Sequence, residues 1–493
     1  AGVAIVVEGS SVNTITNAMG EFSIKAPSNG VLDCSMLGMI PDNMPVLGRT
    51  SIPVLMEEDI QSLQGVVVTG YQTLSRDRAT GSFGSITAES MENKPLVSVA
   101  SVLEGKVAGL SVDSYGKLSI RGVSTFIAGK EPLIVVDGFP VEQSLYDSDL
   151  FQNKDGVLEG LNPDNIESIT VLKDAVAASI YGARAANGVV VVVTRKGQQG
   201  GTKVSYKGTF SAKTQPRTKD LHFASVNDII DAQLDLYNSL PVYSNPYYYP
   251  YVNAGYYKWM ADNGFMSQDE ATSQISSLRK NDFFKEVDKY LFRPELTQQH
   301  NLQISGGNEK DLYNVSANYT GTRGNFKYAS DRKLTVDVRN DWRFNQRVSL
   351  SMSMNVNYSS NDSPILNPAY GGTRFDYKYF SFFTPSTSFV DANGNAKSYN
   401  PVVPFIQDTY SSVSTLKDMS YNLLENLQEE TYHTEDFQAR INAMLNIKIF
   451  DGLSLDLGGN WQRGNYMYRQ LYTDNSFYAR RVYNNGISLA NNA

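Results

Sequence analysis

The sequence holds a single cysteine, Cys34, among 493 residues, which excludes an intrachain disulfide framework and a cysteine-rich zinc site. Its three histidines, His222, His300 and His433, stand too far apart for a local metal motif. No apolar run reaches the roughly 18 residues that a spanning helix needs, so a helical membrane protein is excluded. Positive charge is not in excess: a net charge of −8 and a pI near 5.2 leave no electrostatic footprint for nucleic acid. Charged residues are only 19% against 41% hydrophobic, the opposite of the balance that keeps a chain disordered. A GxS elbow and a nucleophile–base–orienter set are also missing, and no enzymatic activity is expected.

What the sequence has in quantity is aromatic: 30 Tyr and 22 Phe beside 3 Trp. Aromatic, polar, helix-poor chains include transmembrane β-barrels, whose hydropathy averages out because lipid-facing and lumen-facing residues alternate. The length leaves room for about two to four domains, and the composition shifts along the chain. Residues 1–58 read as a small β-domain, with strand-like VAIVV (3–7), VNTITN (12–17), GEFSIKA (20–26) and VLDCSML (31–37) between turn residues. Residues 59–80 form a polar linker interrupted by VVVTGY (66–71). Residues 81–200 look α/β, with strands expected in 118–123, 132–138, 168–174 and 189–194 and a helix over Ala175–Tyr181 bounded by Gly182.

Over 201–493 the pattern becomes period two. Val348, Leu350, Met352, Met354, Val356 and Tyr358 alternate with Ser349, Ser351, Ser353, Asn355, Asn357 and Ser359. The same alternation runs through 333–343, 437–449 and 453–462, and more weakly through 203–212, 299–305 and 313–320. A soluble half-buried sheet also alternates. The connections decide for a barrel: short links at 306–311, 344–346 and 450–452 alternate with longer ones at 213–298, 321–332 and 359–436, the short-turn, long-loop rhythm of outer-membrane barrels. The fold class is therefore mainly β, a transmembrane antiparallel β-barrel with about seven strands in this chain, preceded by an α/β domain.

Several residues could carry function. The run Val66, Val67, Val68, Thr69, Gly70, Tyr71 is either a buried strand or an extended segment that adds to a partner's sheet edge. Arg121, Asp137, Lys173, Asp174 and Arg184 read as structural ion pairs inside the α/β domain or against the barrel rather than as acid–base chemistry. The cluster Tyr243, Tyr247, Tyr248, Tyr249, Tyr251, Tyr256, Tyr257 and Trp259 in the first long link suits a sugar, peptide or protein partner, or self-packing of a large loop. DANGN (391–395) lacks the Gly and Glu of a calcium loop and reads as a surface turn. Cys34 reads as a small core hydrophobe. No metal or cofactor site is expected.

LEGKVAGLSV (103–112), SIRGV (119–123), PLIVVDGFPV (132–141) and LNPDNIESITVLKDAVAASIYGARAANGVVVVVTRKG (161–197) closely resemble TonB-dependent outer-membrane transporters, specifically the SusC-like branch from Bacteroidetes. The resemblance implies energy-coupled import of oligosaccharides or peptides with a SusD-like lipoprotein lid, TonB contact at Val66–Tyr71, and a plug domain over 81–200. It also implies a carboxypeptidase-regulatory-like β-sandwich over 1–58 in the periplasm and a barrel embedded in outer-membrane lipid. Barrels of this class have about 22 strands, so the chain is expected to be an N-terminal portion of a longer protein, or one part of a split transporter. Rival readings are a siderophore or cobalamin receptor, and an anchoring or signalling barrel.

Overall fold

A computed structural model describes residues 3–7, 10, 12–17, 19–36, 42–54, 66–68, 73–75, 83–88, 99–113, 117–122, 131–141, 157–173, 179–221, 224–248, 252–365, 386–391, 393–400, 404 and 407–486. It is mainly β, in three principal sheets. The first joins β1 (Ala4–Val7), β2 (Asn13–Ile15), β3 (Val31–Ser35) and β4 (Asp42–Pro45) in the antiparallel order β2-β1-β3-β4. Its core is Ile5, Val7, Leu32, Cys34 and Val46. Burial, then the Asp42 and Asp33 carboxylates, push the Cys34 thiol up, as expected of an inert core residue. The expected strand over 20–26 does not pair. Asn17 Oδ1 accepts the Met19 and Glu21 amides instead, and the segment packs its Phe22, Ile24 and Ala26 onto the core.

β5 (Val66–Val68) and β6 (Thr73–Ser75) make a separate antiparallel hairpin. The plug region follows as a mixed five-stranded sheet, β11-β10-β13-β12-β7, from β7 (Phe83–Thr87), β10 (Leu133–Val136), β11 (Phe139–Pro140), β12 (Ile166–Leu172) and β13 (Val189–Thr194). A small ladder, β8 (Leu110–Val112) with β9 (Leu118–Ile120), lies beside it. The valine run of β13 is central, and its residues alternate between two cores. Val190 and Val192 join Ile134, Val136, Ile169 and Val171 on one face. Val189 and Val191 join Val135 and Leu172 on the other. A strand covered on both sides needs no polar alternation, which explains the continuous run. The helix expected over 175–181 falls largely outside the described residues; within them Ser179–Ala185 is 3-10 and is interrupted at Gly182, whose φ of 65 breaks the helical run. Residues 174–178 lie outside the described residues.

The third sheet is seven-stranded and antiparallel in sequence order: β14 (Gly200–Lys213), β15 (Glu295–Gly307), β16 (Asp311–Arg323), β17 (Ser330–Arg343), β18 (Val348–Pro364), β19 (Glu430–Phe450) and β20 (Leu453–Tyr472). Its faces are inverted relative to a soluble sheet. One register row reads Val204, Ile304, Val315, Val338, Met354, Ile441, Trp461 across all seven strands, and Val204 and Trp461 are 66% and 53% exposed. The row beside it reads Ser205, Gln303, Ser316, Asp337, Asn355, Arg440, Gln462, and there Ser316, Asp337 and Arg440 are buried. Apolar side chains face outward and polar ones inward, as a barrel wall in lipid requires. On the outer face the Tyr206 and Tyr319 rings lie over Gly208 and Gly321, two residues on, restoring the packing that glycine gives up in a strand.

The links between strands β14 and β15, β16 and β17, and β18 and β19, with the segment after β20, share one apolar core. Phe283, Leu291, Phe326, Phe389, Tyr421, Leu427 and Phe477 meet in it, and Asn281 Nδ2 donates to the Ser386 carbonyl at 2.7 Å. The long links are thus folded against each other at one rim. Inversion of the wall sets the cost of charge by face. Ile441→Arg should cost about 2–4 kcal/mol near mid-bilayer, whereas Ser351→Arg, beside Asp341 on the inner face, should cost far less. Denaturant titration of the protein folded in lipid vesicles checks this, and equal losses would refute the alternation.

Candidate functional site: the plug seated on the wall

The chemistry of the inner face is spent largely on holding the plug region. β10 and β11 are joined by Asp137-Gly138, at φ 50 and φ 89, the left-handed pair that a two-residue hairpin needs. That turn aims the Asp137 carboxylate at β13 and at the wall together. Asp137 Oδ1 accepts the Thr194 amide at 2.9 Å and Oδ2 the Thr194 hydroxyl at 2.7 Å. Arg339 of β17 donates Nη1 to Asp137 Oδ1 at 3.0 Å and Nε to Asp341 Oδ2 at 3.1 Å. The Arg339 and Asp137 side chains are only 11% and 10% exposed, so this ion pair is screened little.

A second set of contacts comes from the turn Pro163–Asn165 that opens β12. Asn162 caps it by accepting the Asp164 amide and turns its own amide to the wall, donating to Asn301 Oδ1 at 2.9 Å and Ser316 Oγ at 3.1 Å. Asn314 Nδ2 donates back to Asn165 Oδ1 at 2.7 Å and to the Arg195 carbonyl at 3.0 Å. Lys207 reaches Asp164 at 2.6 Å. The Ser316 hydroxyl continues to Asp337 at 3.3 Å, and Asn355 links Asp337 to Arg440. The buried amides are therefore paired across two bodies, each supplying what the other would otherwise leave unsatisfied.

Backbone closes the seat. A Cβ on Gly197 would stand 2.4 Å from the Tyr313 nitrogen and 2.6 Å from its carbonyl oxygen, so only glycine lets the end of the plug lie on the β15–β16 strands. At the far side of the sheet the Phe139 ring lies against Gly458 of β20.

Of the five charges singled out in the sequence, Asp137 makes the wall contact. Arg121 is exposed and contributes a left-handed turn, φ 56, whose amide donates to the Gly109 carbonyl at 2.7 Å. Among the described residues neither Arg121, in an exposed turn, nor Lys173, beside Gly84, takes an ion pair. Arg184 is exposed on the 3-10 stretch, and Asp174 lies outside the described residues. The residues missed are Asn162, Asp164, Asn165, Thr194 and Gly197, with Asn301, Asn314 and Arg339 facing them. The signal available was LNPDN itself, a polar turn between apolar strands.

Val66–Val68 pair with Thr73–Ser75, with the register Val67↔Leu74. Among the described residues the outer ladder edge of β5 meets no third strand. Thr69, Gly70 and Tyr71 lie outside the described residues. In the first long link Tyr256 and Trp259 are buried, stacked 6.1 Å apart, and Trp259 stacks on Phe265 at 5.3 Å. Burial, then the Asp262 carboxylate that accepts its hydroxyl, push Tyr237 up to about 12. Burial pushes Tyr257 up as well. Tyr247 is the exposed member of the cluster, at 58%. Of Tyr243 and Tyr248 the backbone alone is described, in 3-10 turns, and Tyr249 and Tyr251 lie outside the described residues.

Residues 75–189 match the TonB-dependent Receptor Plug Domain family. The chain is 30% identical over 347 residues to the TonB-dependent receptor SusC of Bacteroides thetaiotaomicron, covering 68% of this chain and 30% of that protein. It is 25% identical over 476 residues to a TonB-dependent receptor of Formosa agariphila, covering 94% of this chain and 39% of the relative. The chain thus spans well under half the length of these curated relatives. Its fold is similar to the RagAB peptide importer in the open-open state, with a TM-score of 0.58 at 21% identity over 82% of this chain and 43% of that one.

Arg339→Met leaves Asp137 and Asp341 buried without their cation. It should weaken plug seating by about 3–5 kcal/mol, read as the urea concentration at which the plug becomes protease-sensitive. Adding Asp137→Asn to it should cost less than the sum of the singles; additive losses would mean that the two do not act as a pair. Gly197→Ala should lower the same midpoint, since its clash is with backbone.

Proposed function

We propose that this chain, which belongs with the SusC-like TonB-dependent transporters, provides the plug and part of the wall of an energy-coupled importer for oligosaccharides or peptides in the outer membrane. The observation that supports this most directly is the hydrogen-bonded seating of the plug on the wall's inward polar face. A lumen closed in this way opens only if those bonds exchange for bonds to water. Exchange of that kind is slow to start but nearly neutral once water enters, because each hydrogen bond is worth about 0.5–1.5 kcal/mol net. The outer membrane holds no ATP, so the starting work must arrive mechanically from across the periplasm.

The β5–β6 hairpin is the natural place for it to arrive. A partner strand from TonB adding to the open edge of Val66–Val68 gains main-chain hydrogen bonds with little demand on side chains. On this reading residues 1–58 form a periplasmic domain, 59–80 the TonB-contact linker, 81–200 the plug and 201–493 the first part of the barrel. The short turns face the periplasm and the packed long links face outward, where the exposed Tyr247 helps to receive a SusD-like lipoprotein lid. Likeness to a peptide importer supports the peptide arm of the substrate class, and the resemblance of the plug motifs to the SusC-like branch supports the glycan arm.

Deleting residues 66–71 should abolish TonB-driven uptake by cells while leaving insertion and surface binding intact; normal uptake by the deletion would end the TonB-contact assignment. In a Cys34→Ala background, a cysteine at Asp451 should resist an impermeant thiol label on whole cells and one at Gly394 should react. The reverse pattern would invert the topology. Purification in mild detergent should bring down a second, lipid-anchored protein, and Tyr247→Asp should weaken that association.

A further inference from the structure

We propose that the outer face of β14–β17, at the rim of the long links, is a binding groove for a phosphorylated lipid of the surrounding leaflet. Its acyl chain would lie along Phe210, Leu296 and Tyr319 and its phosphate between Arg323 and Arg332. The inference rests on the transmembrane reading above. The groove is a cavity of about 540 Å³ bounded by Phe210, Leu296, Tyr319, Gly321, Arg323 and Arg332. It exists because small residues interrupt two register rows. Phe210, Gln298, Gly321 and Arg332 stand across from one another in one, and Ala212, Leu296, Arg323 and Ser330 in the next. Phe210 and Leu296 line the groove with Ala212 and Ser330, and the Tyr319 ring lies over Gly321. Below them the outer face continues as Tyr206, Leu302 and Val204, an apolar track for a chain running toward mid-bilayer.

Charge selects the headgroup. Arg323 and Arg332 are both exposed on this face and bond no carboxylate of the described residues. Asp331 also borders the groove, but its place in the alternation, opposite Thr322, turns it to the inner face. The carboxylates farther along the outer rows, Asp362 and Glu435, are held by His433 at 2.7 and 3.1 Å. A third guanidinium, Arg293, clamps the link between β16 and β17 by donating to the Gly324 and Ala329 carbonyls at 2.9 and 2.8 Å. It is close enough to Arg323 for that charge, after burial, to disfavour its ionised form. Three like charges gathered at the aromatic belt, two of them with free planar forks, suit a phosphate that accepts from both.

The test uses the membrane-assembled transporter in nanodiscs of zwitterionic lipid doped with monophosphorylated lipid A, or with the same lipid dephosphorylated, and counts retained lipid by native mass spectrometry. The phosphorylated form should be retained preferentially. The double variant Arg323→Gln/Arg332→Gln should lose about tenfold or more of that affinity, with the plug's protease resistance unchanged. Equal retention of the two lipids, or full retention by the variant, would overturn the site and leave the arginines as residues reaching for water. Inorganic phosphate displacing the lipid completely would overturn the acyl-chain half of the assignment, and with it the lipid. A chain that binds the lipid but fails to import would count against the importer and not against this groove.

Discussion

The arrangement depends on one constraint: a sheet in lipid must turn its polar side chains to the side where they can be satisfied. In β14–β20 that side is the interior, and the interior is filled by a second body rather than by the wall's own side chains. Asn301, Asn314, Ser316 and Arg339 would be a costly set of buried groups in an empty dry cavity. With the plug in place each has a named partner. Wall and plug are therefore reciprocal solvents. The wall's alternation, imposed by lipid, creates the demand, and two short turns of the plug, Asp137-Gly138 and Pro163–Asn165, meet it.

This distribution of bonds separates rigidity from seating. Inside the plug, β13 is held by apolar contact on both faces, a strong and non-directional stabilisation that does not exchange with water. Between plug and wall the polar contacts are amides, hydroxyls and two ion pairs, Asp137–Arg339 and Asp164–Lys207, which water can replace group for group. The plug's own fold and its seat on the wall are thus held by different forces, and the seat is the part whose bonds water can replace.

Legibility in the sequence followed the same division. Period two in 347–359 and 437–449 was readable because lipid and lumen each impose one face, and the seven strands fall where the alternation does. Asp137-Gly138 reads in the sequence as the end of a strand over 132–138, whereas it is the turn between β10 and β11; its partner Arg339 is remote in sequence and becomes its neighbour only through the wall's register. Asn162 and Asn165 do not stand out in the sequence for the same reason, since their wall partners Asn301 and Asn314 are equally remote in sequence. The segment 20–26 alternates like a strand yet packs without pairing, because Asn17 captures the amides that would have begun the ladder. In the aromatic cluster, composition could not tell packing from display. Burial of Tyr256 and Trp259 against Phe265 and exposure of Tyr247 follow from how the helix Ala254–Asp262 is seated, which no local pattern encodes.

The order β11-β10-β13-β12-β7 also has a mechanical consequence. Among the described residues β7 sits at the edge with a single neighbour, and it is the first strand of that sheet met from the N-terminal side. β13 sits at the centre with two neighbours, and it runs directly into Gly197 and the wall. Tension applied to the chain ahead of Phe83 would therefore load an edge strand first, at the end of the plug opposite the Gly197 contact with the wall. The two ends of the plug are thus held differently, an edge strand at one and a close backbone contact with the wall at the other, the asymmetry of a hinged shutter rather than of a cork.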